Sequence, residues 1–195
     1  IDSGGEVFTN IDKNTFTAYS QPEGKVYCGI DLGKQEDYTV ATFIDSKGKI
    51  VDIYRANGQE WTTMTNEILK RVKQWNATVM VEVNSIGDVI YEQIKKQWQD
   101  THPFITSSKS KNEIIEGLIL DFNEDTIRMP SKELFQALYS ELSTFTYEYN
   151  PKTRNIRYGH PAGMHDDTVM SLAISNYNRK INKQLGSYSY IKPRR

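Results

Sequence analysis

The sequence is short of the features that mark several protein classes. Its 195 residues include one cysteine, Cys28. That excludes an internal disulfide and any multi-cysteine zinc site, and a reducing compartment suits such a chain. No apolar run approaches the roughly 18 residues that a membrane-crossing helix needs, so no membrane partner is expected. Neither sign of charge is in excess: 24 Lys and Arg stand against 25 Asp and Glu, a formal net charge of -1. That balance alone does not mark a nucleic-acid binder. Repeats and low-complexity tracts are missing, which sets aside collagen-like and coiled-coil classes. The first residue is Ile1, with no secretory signal before it, so the chain is expected to be a piece of something longer. What is present is 37% hydrophobic and 11% aromatic residues, enough to bury a core.

Residues 1–25 are polar and hold Gly4, Gly5, Pro22 and Gly24; they read as a linker or arm, with a short extended piece at Glu6-Val7-Phe8. Val26 to Asp31, Tyr38 to Asp45 and Ile50 to Arg55 are β-rich runs. The turn signal Ser46-Lys47-Gly48-Lys49 separates the last two, so an antiparallel meander is expected. Met64, Ile68, Val72 and Trp75 recur at helical spacing and predict a helix over 62–75. Ala77 to Val83 is nearly all apolar, as a strand buried on both faces would be. Helices are predicted over 88–98 and 111–123, with a short strand at 102–105 between them. Thr126 to Met129 reads as extended. A fourth helix is predicted from Pro130-Ser131, carrying Leu134, Leu138 and Leu142. Thr144–Tyr149 and Asn155–Tyr158 read as a hairpin, and a last helix opens at His165-Asp166-Asp167. The order predicts an α/β domain around one mixed sheet, three antiparallel strands followed by parallel ones, flanked by helices. The hairpin is an addition before the last helix. The aromatics Trp75, Trp98, Phe122 and Phe135 sit at helical spacing and are expected in the core.

Three acidic positions stand where solvation does not explain them. Asp31 ends a strand within Gly29-Ile30-Asp31-Leu32-Gly33. Glu82 interrupts an apolar strand between Val81 and Val83, and an unpaired buried carboxylate is costly. Asp166 and Asp167 open an amphipathic helix. Each has an ordinary alternative. Asp31 suits the start of a turn, Glu82 could pair with a Lys or Arg, and the aspartates suit a helix N-terminus. Together they suggest more. If the two strands are neighbours and the last helix crosses them, the acids converge. Such a group repels itself unless a cation neutralises it. Oxygen-only ligands suit Mg²⁺ or Mn²⁺ rather than Zn²⁺. Two such ions, about 3.5–4 Å apart, serve phosphodiester hydrolysis.

These segments resemble the three nuclease motifs of phage terminase large subunits. Gly29-Ile30-Asp31-Leu32-Gly33, followed by Asp37-Tyr38-Thr39-Val40, is similar to the first. Val81-Glu82-Val83-Asn84-Ser85-Ile86-Gly87 is similar to the second, and Gly163 to Ala173 to the third. The resemblance covers residues 26–180 and keeps the order of the motifs. Gly4 to Phe8 looks like the segment that joins the family's ATPase and nuclease domains. The resemblance implies a fold like ribonuclease H and the RuvC resolvases. It also implies metal-dependent cutting of concatemeric viral DNA during genome packaging, in the host cytoplasm. The implied partners are double-stranded DNA, the terminase ATPase domain, the portal and the small terminase subunit. Asp31 and Glu82 match the family's first two metal ligands, and the third falls on the Asp166-Asp167 pair, Asp167 being favoured and Asp166 the alternative; together they would hold two Mg²⁺ or Mn²⁺ ions and carry catalysis. The resolvases carry another carboxylate three positions on, where this chain has Met170. The domains implied are 1–25 as the arm from the ATPase domain, 26–180 as the nuclease and 181–195 as a basic tail.

Other residues are candidates for accessory roles. Asp37 could orient water or ligate metal, Asn84 could orient Glu82 or touch phosphate, and His165 could assist a bound water; surface loop, turn and helix-start roles are their alternatives. His102 and His160 have no partner spacing and read as structural or exposed. Lys152, Arg154 and Arg157 on the hairpin are candidate DNA contacts, as are Lys109 and Lys111 ahead of a helix; solvation is the alternative for each. With the tail residues Arg179, Lys180, Lys183, Lys192, Arg194 and Arg195, the hairpin holds nine of the 24 cations. The tail is expected to bind phosphate, dock on a partner or remain a disordered end. Gly29 to Lys34 has the look of a phosphate loop, but its spacing is too short and Gln35 replaces the Ser or Thr after the Lys, so ATP binding is not expected. Two rival functions remain at this level: a junction resolvase or transposase-like nuclease of the same superfamily, and a non-catalytic DNA-binding or docking module.

Overall fold

The computed structural model describes residues 2–3, 5–33, 37–83 and 87–188. Asn84 and its neighbours Ser85 and Ile86, Gly4, Lys34, Gln35 and the tail cations Lys192, Arg194 and Arg195 lie outside the described residues. In chain order the elements are β1 (Asp2–Ser3), a 3-10 turn (Asp12–Asn14), β2 (Thr15–Phe16), β3 (Val26–Asp31), β4 (Thr39–Asp45), β5 (Ile50–Ala56), α1 (Trp61–Trp75), β6 (Thr78–Val83), α2 (Gly87–Gln97) and β7 (Thr101–Ile105). Then follow α3 (Ser108–Asn123), β8 (Met129–Pro130), α4 (Gln136–Thr144), β9 (Thr146–Asn150), β10 (Asn155–Gly159) and α5 (Asp167–Tyr188).

Five strands form a mixed sheet in the order β5-β4-β3-β6-β7. The first three are antiparallel neighbours, and β3, β6 and β7 run parallel. This is the α/β sheet that the sequence pattern predicts. Side chains alternate between its faces. Cys28, Ile30, Val79 and Val81 join Met64, Ile68 and Val72 of α1 and Ile90 and Ile94 of α2 in one core. Tyr27 and Met80 point the other way, into a second core with Ile115, Leu118 and Phe122 of α3, Leu138 and Leu142 of α4, and Val169 and Leu172 of α5. No helix among the described residues is long and apolar enough to cross a membrane.

The seating of α5 on β3 needs a glycine. A Cβ placed on Gly29 would lie 2.2 Å from the Ser175 backbone nitrogen and 2.5 Å from the Ser171 carbonyl oxygen. The helix backbone thus rests directly on the strand backbone. Ser171 Oγ donates to the Gly29 carbonyl and accepts from Thr42 Oγ1, both at 2.8 Å.

The segment read as an arm packs onto this body. Phe8 and Ile11 are buried among the residues of the second core, and Phe8 meets Phe122 edge-on at 5.3 Å. Residues 6–8 form no strand; the arm's paired residues are instead Asp2–Ser3 against β9 and Thr15–Phe16 against β8.

Three expectations need correction. The helix expected from Pro130-Ser131 starts at Gln136 instead, because Ser131 N–H donates to Phe16 O and its carbonyl accepts from Leu134 and Phe135 in a turn. Leu134 is therefore outside the helix and exposed. Lys109 and Lys111 do not precede a helix but lie on the first turn of α3, which starts earlier because Ser107 and Ser110 form a capping box. Arg179 and Lys180 are not free tail cations. They face the buried Asp121 at 3.6 and 3.0 Å, and Arg179 is itself buried.

Gly29→Ala should push α5 away from β3. The expected loss is about 1–3 kcal/mol or more in urea unfolding, as overpacking against backbone requires. Parental stability in this variant would show that the helix is not seated as described.

Candidate metal centre

The sheet alternation decides where the acids point. Ile30 and Val81 are paired across β3 and β6, so Asp31 and Glu82 are the next residues along each strand. Both fall on the α5 face, one residue beyond the last apolar pair, and both are buried. Parallel strands put both carboxylates at the same end of the sheet. The first residues of α5 reach that end as well, and Asp167 is buried there.

The loop after β3 brings further groups in. A Cβ on Gly33 would lie 2.5 Å from the Asp37 carbonyl oxygen, so only glycine lets the chain fold back this closely. The return places the Tyr38 N–H against Asp167 Oδ2 at 3.1 Å. His165 Nδ1 lies 3.5 Å from Asp167 Oδ2 and 3.7 Å from Asp37 Oδ1. Tyr38 meets the His165 ring edge-on at 5.5 Å.

Electrostatics bind these acids into one system. Burial pushes the Asp31 carboxyl well above the usual range, and a hydrogen bond with Glu82 and its charge add to this. The charges of Asp167 and Asp166 act in the same direction. Asp167 is pushed up to about 6, first by burial, then by the charges of Glu141 and Asp37, against the lowering effects of the Tyr38 N–H and His165. Glu82 Oε1 accepts from Thr106 Oγ1 at 2.5 Å. Asp166 is handled differently: Lys111 Nζ lies 3.1 Å from its Oδ2 and His160 Nε2 3.8 Å from its Oδ1.

The expected residues are therefore brought together unequally. Asp31 and Glu82 end neighbouring strands, and the charges of Glu82, Asp167 and Asp166 all raise the Asp31 carboxyl. Among the described residues, the three-residue group whose ligand atoms lie within 4.8 Å of one another is Asp37, His165 and Asp167, and Asp31 and Glu82 are not part of it. Oxygen donors dominate the whole set, which fits a hard divalent cation. Lys109, Lys111 and Arg157 line a groove of about 1240 Å³ between α3 and the β9-β10 hairpin, whereas Lys152 and Arg154 are exposed near its turn. Asn112 fastens that hairpin to α3 by donating to Ile156 O at 2.8 Å.

Sequence reading missed four contributors: Thr106, His160, Arg55 and Glu141. Thr106 follows the strand next to Glu82, so only the pairing of β6 with β7 reveals it. Arg55 lies over the Tyr38 ring, 3.3 Å from its centroid.

No protein-family model and no curated protein matches the chain. Solved structures do. The large terminase nuclease from thermophilic phage G20c, crystallised with magnesium, matches with a TM-score of 0.77 and 25% identity, covering 88% of this chain and 96% of that one. The large terminase nuclease domain of Thermus phage P74-26 matches at 0.73 and 24%, over 88% and 94% of the two chains. The large terminase nuclease domain of bacteriophage SPP1, with bound manganese, matches at 0.58 and 12%, over 84% and 95%. The fold is that of phage large-terminase nuclease domains, the family that the three motifs resemble.

Asp167 supplies a pH test in metal-free buffer. Its folded value of about 6 exceeds its ordinary 3.8, so the native state holds this proton more tightly than the unfolded chain does. The associated stability is present below about pH 4 and is lost as pH rises through 6. Asp167→Asn should therefore be more stable than the parent above pH 6, by on the order of 1–3 kcal/mol. The gain should shrink toward pH 4. A pH-independent difference in melting temperature would refute the raised value.

Proposed function

We propose that this chain, built as the phage large-terminase nucleases are, is a metal-dependent DNA endonuclease that cuts concatemeric viral DNA during genome packaging. The observation that carries this reading is that buried Asp31 and Glu82 end the adjacent strands β3 and β6 on the face that α5 covers, while the start of α5 brings buried Asp167 to the same end of the sheet. Neighbours of the same fold have been crystallised with magnesium or manganese.

Asp31, Glu82 and Asp167 would hold Mg²⁺ or Mn²⁺, two ions by the family resemblance, and Asp166 stands ready as a further ligand. Such ions supply an activated water and neutralise charge at the leaving oxygen in phosphodiester hydrolysis. The chain's own residues prepare that chemistry. Burial removes water from Asp31 and Glu82 and makes their shared negative charge costly unless a cation answers it. The Tyr38 N–H and His165 fix the orientation of Asp167. Lys111 neutralises Asp166 and stands where the groove between α3 and the hairpin meets the acids. In that groove Lys109 and Arg157 would neutralise backbone phosphates, and Lys152 and Arg154 would extend the interaction along the duplex. Nothing in the described residues resembles a base-reading element, so sequence preference should be slight. In the virus the partners would be the terminase ATPase domain, the portal and the small subunit.

Asp31→Ala, Glu82→Ala and Asp167→Ala should each abolish Mn²⁺-dependent nicking of supercoiled plasmid, with circular dichroism unchanged. Full activity in a folded variant removes that residue from the site. Calorimetric titration with Mn²⁺ separates this reading from a non-catalytic DNA-binding module, which predicts no metal binding.

Replacing Lys152, Arg154 and Arg157 together by Ala should weaken DNA binding. The slope of log K against log salt should fall by about 0.9 for each phosphate that is no longer neutralised. An unchanged slope would place the duplex elsewhere.

A further inference from the structure

Glu141 lies on α4, outside the three motifs, and is buried at 6% exposure. A carboxylate so placed needs donors. One oxygen has them: Oε2 accepts from Thr168 N at 2.7 Å and from Thr168 Oγ1 at 2.5 Å. Thr168 is in the first turn of α5, where backbone N–H groups lack an intrahelical acceptor and the helix dipole favours negative charge. The other oxygen, Oε1, has no hydrogen-bond partner among the described residues and faces the Arg55 guanidinium at 3.8 Å. Arg55 in turn lies on Tyr38, whose N–H holds Asp167 Oδ2.

Two chains of contact therefore run from Glu141 to Asp167. One passes through Thr168, the next residue along α5. The other passes through Arg55 and Tyr38, across the sheet. Helix capping alone does not explain this. A local oxygen could cap α5, whereas this one comes from 27 residues away and brings a buried charge close to other acids. Its charge is one of those that raise Asp167.

We propose that Glu141 is a positioning residue that fixes the Asp167 carboxylate for cation binding, through Thr168 on one side and the Arg55–Tyr38 stack on the other. The inference rests on the metal-centre reading above. It assigns Glu141 no contact with metal or DNA.

The test uses the whole chain and two readouts. Mn²⁺ affinity is measured by calorimetry, and the Tyr38 amide is followed by ¹H–¹⁵N spectroscopy without metal. Glu141→Ala should weaken Mn²⁺ binding about 10–100-fold, the usual cost of losing a group that orients a ligand. Glu141→Gln should weaken it less, because its amide oxygen can still accept from Thr168 while Arg55 loses its acid. Both should shift the Tyr38 amide resonance. Parental Mn²⁺ affinity with an unmoved Tyr38 amide, in a folded variant, overturns the proposal. If Glu141→Ala does not fold, Glu141→Gln and Arg55→Gln decide by the same two measurements. If the parent chain binds no Mn²⁺, the metal-centre reading falls. The Tyr38 amide in Glu141→Gln then judges the positioning role by itself, a shift supporting it and no shift overturning it.

Discussion

Direct contact between the backbone of α5 and the backbone of β3 is the constraint on which the site depends. Apolar packing would hold a helix against a sheet but would not fix its rotation or its register, because burial is non-directional. Here polar groups buried in the interface do so. Ser171 Oγ donates to the Gly29 carbonyl, and Asn178 Nδ2 donates to the carbonyls of Cys28 and Thr78 at 3.0 and 2.9 Å. Those carbonyls belong to β3 and β6, the strands that carry Asp31 and Glu82. A buried amide or hydroxyl that loses its partner costs more than it contributes when paired, so a shifted helix would be penalised at several places. The seating that serves the core therefore also delivers the first residues of α5 to the ends of the two strands.

That delivery has an electrostatic cost, and neighbouring aspartates meet it in opposite ways. Asp166 is half-buried and is matched by Lys111 and His160. Asp167 is one residue further on and buried, with a backbone N–H and a half-exposed histidine against it but other acids around it. Its carboxyl rises to about 6 as a result. An aspartate that already has a lysine has less to gain from a cation than one whose charged form is disfavoured by burial and by neighbouring acids. The contrast favours Asp167 as the principal ligand of the pair, with Asp166 in support.

What the sequence made legible was where a residue broke the rule of its own element. Glu82 inside Val-Met-Val-Glu-Val and Asp31 at the end of an apolar run conflict with burial, and such conflicts tend to mark function. The sheet and most helices followed from period alone. What stayed hidden were residues that obey local rules and are recruited from afar. Glu141 sits in Leu-Tyr-Ser-Glu-Leu like a solvent-facing helical acid, yet the packing of α4 against α5 buries it. Arg179 and Lys180 look like the start of a basic tail, but Asp121 on α3 draws them against the core. Phe8 and Ile11 lie in a polar stretch without periodicity, and a core formed by α3 and residues near α4 takes them up. Pro130-Ser131 looks like a helix start, but a two-residue pairing with β2 claims it first.

The near-zero net charge is a sum over the sequence, and the same long-range recruitment decides where the unpaired charge lies. With Arg179 and Lys180 neutralised internally, the positive charge beside the acids rests on the first turn of α3 and on the hairpin. These two elements are tied together by Asn112, and they border one groove. Lys111 belongs to both systems, since it lines the groove and also pairs with Asp166. A phosphate entering the groove would compete with Asp166 for Lys111, and Asp166 released in this way would add negative charge beside Asp167. On the proposed reading, substrate and cation would then favour one another's binding through a single lysine. Neither the balanced composition nor the acidic centre viewed alone suggests that coupling.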